Sequence, residues 1–492
     1  MSARASETLQ ERAYEEWIRD QAGSFSGAGR GNLSWLLGTS YETQAEGRGR
    51  PVPASRHPRI LMVLCQRPAD TGSGTVAREL VDRLPGIGYD VGLLYGAYDQ
   101  DHPSNLLRHP PQFWRRVVFG PGSDTDLPYP IVGMSNNMPY RACAFKDLDM
   151  EGVELYCRVW HRKLAECIAA FNPDLIHVHH LWLVASIAAL SAGQIPLVVS
   201  VHGTDLRRAR DCPHLAHLVR PHVKTTSQLL LLSASSKEEV CALYGAERVP
   251  AAVLWNGFDE RLFYPSTPNP NTLDRYQIPF RSGVRIVLFI GKFDRPKGVE
   301  WLIRAFARIR TTGPVTDVML VIGGAGPEPE FRRYRELVER LGIEGIVRFT
   351  GQIDHSHLRD LLNSAHVLAL PAYHEPFGLV LLEALACGTR IVTTDQGGPS
   401  EFVPESLRNS EDASLLIGLE SLYPTELDQN RFVGELARRI ADQLSKPLRQ
   451  GDRVAISASV RGLSWSAYVK KLAGVYQSIL GPPTASSVVD SL

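Results

Sequence analysis

Two glutamates spaced eight residues apart carry the strongest chemical signal in this sequence. Glu375 lies in a loop after a predicted strand, and Glu383 lies further on, in the predicted helix over Leu379–Ala386. A carboxylate accepts hydrogen bonds from neighbouring hydroxyls, which is what recognition of a ribose or a sugar ring requires. The start of that helix offers free backbone N–H groups to an anion or a hydroxyl, at Phe377, Gly378 and Leu379. The pattern therefore predicts a site for a sugar-bearing, anionic ligand.

Two lysines lie at a second predicted strand end. Lys292 directly follows a strand, and Lys297 precedes a helix, within the stretch Gly291–Gly298. Positive charges at these two places suit a diphosphate, because they can neutralise a leaving group without a divalent metal. We therefore expect Lys292 and Lys297 to stabilise a diphosphate.

The elements that must position these residues alternate between strand and helix in both halves of the chain. One βα series starts near Ile60, and a second starts near Val284 after the proline-rich stretch 250–282. Such alternation predicts parallel sheets with helices on both faces, which bind ligands at the carboxyl ends of their strands. The length of 492 residues also favours two domains. The predicted fold class is α/β, with two Rossmann-like doubly wound domains facing a cleft.

The predicted organisation has six parts. They are a partly disordered arm over 1–57, a first domain over 58–255, a linker over 256–282, a second domain over 283–464, an amphipathic helix over 465–480 and a disordered tail over 481–492. The arm contains one predicted helix over Thr8–Gln21, and it could dock on its own body or on a partner subunit. The helix over 465–480 is expected to cross back to the first domain.

The spacing of Glu375 and Glu383 resembles the E-x7-E motif of retaining glycosyltransferases with the GT-B fold, of the family-4 (glycosyl transferases group 1) type. The resemblance extends from about Arg59 to Leu480. It implies that Glu383 binds the donor ribose, that Glu375 contacts the donor sugar and that the first domain binds the acceptor. It also implies transfer with retention and without a metal. Lys292 departs from the pattern, since the family usually has arginine there, and lysine lacks arginine's bidentate fork.

Further segments resemble other parts of that family's donor site. Gly72-Ser73-Gly74 resembles a glycine-rich loop over the diphosphate, and His202 opens an H-G-T-D segment whose histidine lies beside the donor sugar. The imidazole or carbonyl of His202 could stabilise positive charge on the sugar. The predicted catalytic residues are His202, Glu375, Lys297 and Lys292. The predicted donor-binding residues are Gly72, Ser73, Gly74, Asp205, Lys292, Lys297, Gly324, Ile353, Glu375, Phe377, Gly378, Leu379 and Glu383.

Three alternatives stay open at this point. Gly72–Ala77 fits G-x-G-x-x-A, which indicates a nicotinamide-dependent oxidoreductase, although Gln66–Thr71 separates it from the preceding strand. A nucleotide-sugar epimerase or a phosphorylase of the same fold would use the same donor site. A sugar-nucleotide binding protein without catalysis is the third alternative, and the complete set of predicted catalytic residues argues against it.

Metal sites are not expected. Three Asp-x-Asp pairs are interpreted as solvated loop residues, at Asp99/Asp101, Asp124/Asp126 and Asp147/Asp149. His177 and His179 share one face of a predicted strand, but no cysteine or carboxylate is spaced to complete a zinc site. His179 and His180 instead resemble a strand end common in the family. We expect no metal and no cofactor, with the nucleotide-diphosphate sugar as co-substrate.

Composition limits the partners. Lys plus Arg and Asp plus Glu both number 53, so no overall field attracts nucleic acid or an anionic membrane. Seven cysteines without a C-x-x-C pair favour a reducing cytosol. The first 17 residues lack an apolar stretch, and no apolar run reaches the ~18 residues of a membrane helix, so neither a signal peptide nor a membrane span is expected.

The sequence leaves the substrates broad. The donor is expected to be a UDP-, GDP- or ADP-sugar. The acceptor is expected to be a small soluble molecule, as in natural-product or thiol glycoside biosynthesis. Three arginines near His202 could bind an anionic acceptor, namely Arg207, Arg208 and Arg210. The N-terminal arm could also support a homo-oligomer.

Overall fold

A computed structural model describes residues 33–37, 56–135, 138–279, 283–312 and 317–481. These residues form two α/β domains, each built on a parallel sheet. The predicted helix over Thr8–Gln21, most of the predicted arm and the tail beyond residue 481 lie outside the described residues. The predicted fold class, two doubly wound domains joined by a crossover helix, is confirmed.

The N-terminal domain has a seven-stranded sheet in the order β3-β2-β1-β6-β7-β8-β9. Its strands are β1 (Arg59–Leu64), β2 (Asp90–Tyr98), β3 (Phe113–Phe119), β6 (Leu175–His179), β7 (Leu197–Ser200), β8 (Gln228–Leu231) and β9 (Ala251–Val253), and β4 (Val132–Gly133) and β5 (Cys143–Ala144) form a separate pair. Its helices are α1 (Ser34–Leu37), α2 (Gly72–Arg83), α3 (Pro103–Leu106), α4 (Met150–Phe171), α5 (Leu183–Ser191), α6 (Thr204–Asp211), α7 (Pro213–Val223) and α8 (Ala234–Tyr244).

The C-terminal domain has a six-stranded sheet in the order β12-β11-β10-β13-β14-β15. Its strands are β10 (Arg285–Ile290), β11 (Val318–Gly323), β12 (Val347–Gly351), β13 (Val367–Leu370), β14 (Arg390–Thr394) and β15 (Ala413–Leu416). The helices from the linker onward are α9 (Pro270–Arg275), α10 (Val299–Thr312), α11 (Glu328–Arg340), α12 (His355–Ser364), α13 (Leu379–Ala386), α14 (Pro399–Phe402), α15 (Glu405–Asn409), α16 (Glu426–Ser445), α17 (Gln450–Ser459) and α18 (Trp465–Leu480).

Both sheets are buried on both faces, which explains why their central strands are continuous apolar runs. In β1, every residue from Ile60 to Leu64 is buried, and β13 and β14 are buried throughout. In each sheet, the chain adds strands on one side of the first strand and then crosses over to add strands on its other side. The change of side falls between β1 and β6 in one sheet and between β10 and β13 in the other. These are the topological switch points, where the strand-end loops diverge and leave a crevice.

The crossover helix α18 packs on the N-terminal domain. Leu472 and Tyr476 are fully buried, in one core cluster with Ile60 and Met62 of β1. Where the chain crosses between the domains, the Phe258 N–H donates to the Leu463 carbonyl at 3.1 Å and the Trp465 N–H donates to the Phe258 carbonyl at 2.9 Å. The two crossings of the chain therefore lie side by side and form a narrow hinge.

Helix α2 begins at Gly72, because the Thr71 hydroxyl accepts from the Gly74 N–H at 3.0 Å and caps the helix there. One local prediction needs correction. The reading of every Asp-x-Asp residue as a solvated loop residue is wrong for Asp101, which is 5% exposed and lies 2.8 Å from the Arg67 guanidinium. No element was predicted for the stretch that contains strand β3.

The described part of the arm is docked on its own domain. Leu36 in α1 is fully buried, and its carbonyl oxygen lies 2.6 Å from His222 Nε2. The Trp35 ring packs edge-on against His161, with ring centroids 5.4 Å apart. Among the described residues, no helix combines the length and the apolar character that crossing a membrane requires.

Candidate active site

The predicted donor residues of the C-terminal domain lie around the switch point between β10 and β13. Lys292 follows β10, and Lys297 ends a short 3-10 turn over Arg295–Lys297. The Lys297 Nζ donates to Glu375 Oε2 at 2.6 Å, so the structure joins two predicted residues that are 78 positions apart. The side chain of Glu375 is 9% exposed and that of Lys297 is 24% exposed, so the pair sits at the edge of the crevice.

Lys292 lies in a more secluded position. Burial lowers the pKa of Lys292 to about 8; Asp294 opposes this shift, and Lys297 and Arg207 reinforce it. Burial also raises the pKa of Asp294, against the pull of Lys297, Lys292 and Arg207. One Asp294 carboxylate oxygen is buried and has no hydrogen-bond partner among the described residues. Sequence reasoning missed Asp294, although its position between the two lysines was a usable signal.

The loop that carries Glu375 is held by the glycines that follow β14. The Gly398 N–H donates to the Glu375 carbonyl at 2.9 Å, and the Glu375 N–H donates to the Gln396 carbonyl at 3.2 Å. Gly397 has φ of +92°, and a Cβ atom there would lie 2.2 Å from the Glu375 carbonyl oxygen. Only glycine fits such a close approach. These contacts fix Glu375 beside Lys297.

Helix α13 starts at the same loop. Gly378 caps it with φ of +90°, and no side chain accepts a hydrogen bond from its first turn. Its first N–H groups are therefore available to an anion. The Phe377 ring is buried against Phe402, with centroids 4.7 Å apart, so only the backbone of Phe377 can serve a ligand. Leu379 is partly buried and packs on both domains.

Glu383 reaches a neighbouring loop from within α13. It is 8% exposed, and its Oε1 lies 3.8 Å from Nε2 of His355, at the start of α12. The rest of the crevice is formed by glycine loops. A Cβ atom at Gly324 would lie 1.8 Å from the Gly291 carbonyl oxygen, and the Ile353 side chain occupies the space beside Gly323. The strand ends of β10, β11 and β12 are therefore packed backbone to backbone.

The glycine-rich segment of the N-terminal domain forms the first turn of α2. The Gln66 side-chain amide donates to Thr71 Oγ1 and to Ser73 Oγ, both at 2.8 Å. A Cβ atom at Gly74 would lie 2.9 Å from the Arg67 carbonyl oxygen. The stretch from Cys65 to Thr71 separates β1 from this helix. A dinucleotide fingerprint needs a tight strand-to-helix turn, so this geometry disfavours the oxidoreductase alternative.

His202 lies in a cluster of buried imidazoles. Its Nε2 is 3.1 Å from Nδ1 of His179, which ends β6, and its ring also packs edge-on against His180. Burial lowers the pKa of His202 to about 3, so the ring is neutral at neutral pH. His177 lies two residues before His179 on β6. Its Nδ1 is 2.6 Å from the Tyr476 hydroxyl, and its Nε2 is 2.8 Å from Ser200 Oγ. His177 therefore holds the crossover helix.

Asp205 positions neighbouring backbone groups and has no exposed atom with which to bind a donor. It is fully buried, and its carboxylate accepts from the N–H groups of Leu181 at 2.8 Å, His202 at 3.2 Å and Leu206 at 3.1 Å. These contacts tie the β6 and β7 ends together and fix the His202 backbone. The expectation that Asp205 binds the donor directly needs correction, because its observed contacts are those of a positioning residue.

The two halves of the site meet across the cleft. Gly203 has φ of +79°, and a Cβ atom there would lie 2.9 Å from the Pro376 side chain. The carboxylate of Glu401, beyond β14, accepts from the Ala234 N–H at 2.8 Å in the N-terminal domain. The H-G-T-D turn and the Glu375 loop are thus brought together, with His202 on one side and the Lys297–Glu375 pair on the other.

Two doubly wound domains, with switch points facing one cleft and a helix crossing back, define the GT-B architecture. Family models match most of both domains: residues 71–262 match "Glycosyltransferase Family 4" and residues 271–407 match "Glycosyl transferases group 1". The chain belongs to this glycosyltransferase family.

Named relatives agree with that placement. The chain is 32% identical over 247 residues to glycogen synthase of Mycobacterium tuberculosis, which covers 48% of this chain and 55% of that protein. Thus the chain spans only about half the length of this relative. It is 26% identical over 426 residues to D-inositol 3-phosphate glycosyltransferase of Acidothermus cellulolyticus, covering 83% of this chain and 86% of that protein. The solved structure of HepE from Anabaena with UDP and glucose is similar in fold, with a TM-score of 0.59 and 19% identity over 86% of this chain and 100% of that chain.

Proposed function

We propose that this chain is a retaining, metal-independent glycosyltransferase that moves a sugar from a nucleotide-diphosphate donor to a small, soluble acceptor in the cytosol. The observation that carries this proposal is the Lys297–Glu375 pair, 2.6 Å apart, next to the uncapped start of α13. Such a site offers cations and N–H groups to a diphosphate and a carboxylate to a sugar. Seven free cysteines support the cytosolic location.

The donor would lie across the carboxyl ends of β10 to β13. Lys292, Lys297 and the first N–H groups of α13 would stabilise the diphosphate as the bond from the sugar C1 to the β-phosphate oxygen breaks. The electron pair of that bond stays with the leaving oxygen. Glu383 would accept hydrogen bonds from the ribose hydroxyls, and Glu375 from the sugar hydroxyls.

His202 would lie beside the reacting carbon. Because its ring is neutral, its carbonyl or imidazole can stabilise the positive charge that develops on the sugar. The acceptor hydroxyl or thiol would then attack C1 from the face that the diphosphate leaves, and its proton would pass to the departing diphosphate oxygen. Retention is supported by family membership and by a relative from Bacillus anthracis, 30% identical, that is named N-acetyl-alpha-D-glucosaminyl L-malate synthase.

The acceptor would bind to the N-terminal domain. Relatives named for D-inositol 3-phosphate and for L-malate support a small, polar, anionic acceptor. Glycogen synthase is named for a polymer, which gives a third acceptor class to test.

The test is thermal stabilisation by UDP, GDP and ADP, each with and without magnesium. We expect one nucleotide to raise the melting temperature of the wild type without magnesium, because a ligand at 100 times its Kd stabilises by about 2.7 kcal/mol. Glu383→Ala should abolish this shift, whereas Glu339→Ala, on the exposed face of α11, should keep it.

Activity then decides between the alternatives. Release of nucleoside diphosphate should require an acceptor, which an epimerase or a phosphorylase would not show. A shift with a nicotinamide dinucleotide and with none of the three diphosphates would overturn the proposal and make Gly72–Ala77 the site to study.

A further inference from the structure

Arg207 stands at the place where the two domains touch. It lies in the first turns of α6, and its N–H donates to the Gly203 carbonyl at 3.1 Å. Arg207 is therefore one helical turn beyond Gly203 on the same face. Gly203 itself lies against Pro376, where a Cβ atom would come within 2.9 Å of the proline ring. Arg207 therefore lies on the part of the N-terminal domain that touches the loop of Glu375.

The three arginines of α6 have different surroundings and do not form one anion-binding patch. Arg208 is 2% exposed and lies 3.6 Å from Asp211. Arg210 is paired with Glu239 of α8. Arg207 is exposed, and no hydrogen bond or ion pair joins its guanidinium to any residue in the described part of the chain. Of these three cations, Arg207 alone is left uncompensated.

The opposite wall of the cleft carries Lys292 and Lys297 beside Asp294 and Glu375. Burial lowers the pKa values of Lys292 and His374, and the charge of Arg207 lowers them further. Burial raises the pKa of Asp294, and the charge of Arg207 opposes that rise. Its charge is thus felt in the C-terminal domain. Cations from both domains repel one another in a closed cleft, and a bound polyanion would remove that repulsion.

We propose that Arg207 is a ligand of the donor diphosphate, supplied by the N-terminal domain across the cleft. The C-terminal domain holds the diphosphate from one side through Lys292, Lys297 and the start of α13, and Arg207 completes the shell from the other side. Donor binding and domain closure are therefore linked, because Arg207 meets the diphosphate only when the cleft is closed. This inference rests on the proposed function and adds a residue to its donor site.

The experiment compares Arg207→Gln with Arg210→Gln, which removes an exposed arginine from the same helix. Calorimetry measures the Kd of the nucleoside diphosphate that binds the wild type best among UDP, GDP and ADP, and the Kd of the corresponding nucleoside. We expect Arg207→Gln to weaken the diphosphate about 10- to 100-fold, the range of one lost charge-assisted hydrogen bond, and to leave the nucleoside unchanged. Arg210→Gln should change neither Kd by more than about twofold.

Further readouts separate the outcomes. Arg207→Lys should recover part of the diphosphate affinity, since it keeps the charge but not the fork. Small-angle scattering should show less compaction on adding diphosphate to Arg207→Gln than to wild type. An unchanged diphosphate Kd in folded Arg207→Gln, above all with a raised KM for the acceptor, overturns the inference. If the wild type binds none of the three diphosphates, the proposed function itself fails.

Discussion

The two domains share a topology but carry opposite chemistry at their switch points. Around β1, the central order is β3-β2-β1-β6-β7, and around β10 it is β12-β11-β10-β13-β14. The N-terminal switch point holds four buried imidazoles, namely His177, His179, His180 and His202. The C-terminal switch point holds charged groups, namely Lys292, Lys297, Asp294 and Glu375.

This contrast shows what a fold decides and what it leaves to residue type. A doubly wound sheet determines where strand-end loops converge, whatever their sequence. The four histidines are buried, and their rings pack against one another. Burial lowers the pKa of each, to about 3 for His177 and His202, so they stay neutral at neutral pH. The lysines instead lie beside carboxylates: Lys297 is bonded to Glu375, and Asp294 opposes the effect of burial on the pKa of Lys292. In the proposed function, the C-terminal half would hold the anion, and the N-terminal half would present a neutral polar surface next to it.

We expect the largest effect from removing a positive charge at the switch point of the C-terminal domain. Lys297→Ala should lower kcat by about 100- to 1,000-fold, because it removes one preorganised group that stabilises the leaving diphosphate. It also leaves Glu375 without its partner at 2.6 Å. Steady-state kinetics with the identified donor measures the effect. Lys471→Ala, exposed on α18, is the matched control. A loss below about threefold would contradict the assigned role.

A second test uses pH. Since the pKa of Lys292 is lowered to about 8 in the free protein, the lysine loses its proton as the pH rises above that value. A bound diphosphate favours the charged lysine, so its affinity should fall above pH 8, by up to about tenfold per pH unit. Lys292→Arg should flatten the curve, because arginine stays charged. Calorimetry from pH 7 to 9.5 checks this, and a flat wild-type curve would count against it.

A third, smaller effect concerns the histidine that holds the crossover helix. Tyr476→Phe removes the hydroxyl 2.6 Å from His177 Nδ1 and leaves a buried ring nitrogen without that partner. We expect a loss of about 1–3 kcal/mol in the free energy of unfolding, with the diphosphate Kd unchanged. Denaturant unfolding of the N-terminal domain measures the loss. Tyr423→Phe, at an exposed tyrosine, should have no effect.

The last prediction is that the protonation of His202 does not change near neutral pH. Because the His202 ring has a pKa of about 3, it should not bind a proton between pH 5.5 and 7.5. Its ring resonances, assigned by comparison with His202→Asn, should therefore stay constant over that range in an NMR titration. A titration midpoint near pH 6.5 would remove the difference between the two switch points and would make His202 a candidate general acid or base.

Much of the framework followed from sequence alone. Helices α13 and α18 were predicted at their observed bounds, and the buried strands read as apolar runs. Lys292, Lys297, Glu375 and His202 were predicted as site residues because charged or titratable residues at strand ends stand out against an apolar background. Local pattern is sufficient for these features, since each depends on neighbours in sequence.

Only the tertiary structure decided which of these residues meet and what each one does. The Lys297–Glu375 contact spans 78 residues, and the His177–Tyr476 contact spans 299. Asp205 looked like a donor ligand until its carboxylate was seen to accept three backbone N–H groups. Arg207 and Arg208 are adjacent in sequence, yet Arg207 is exposed and Arg208 is buried. Burial and long-range contact depend on the packing of the whole chain, and no local pattern encodes them.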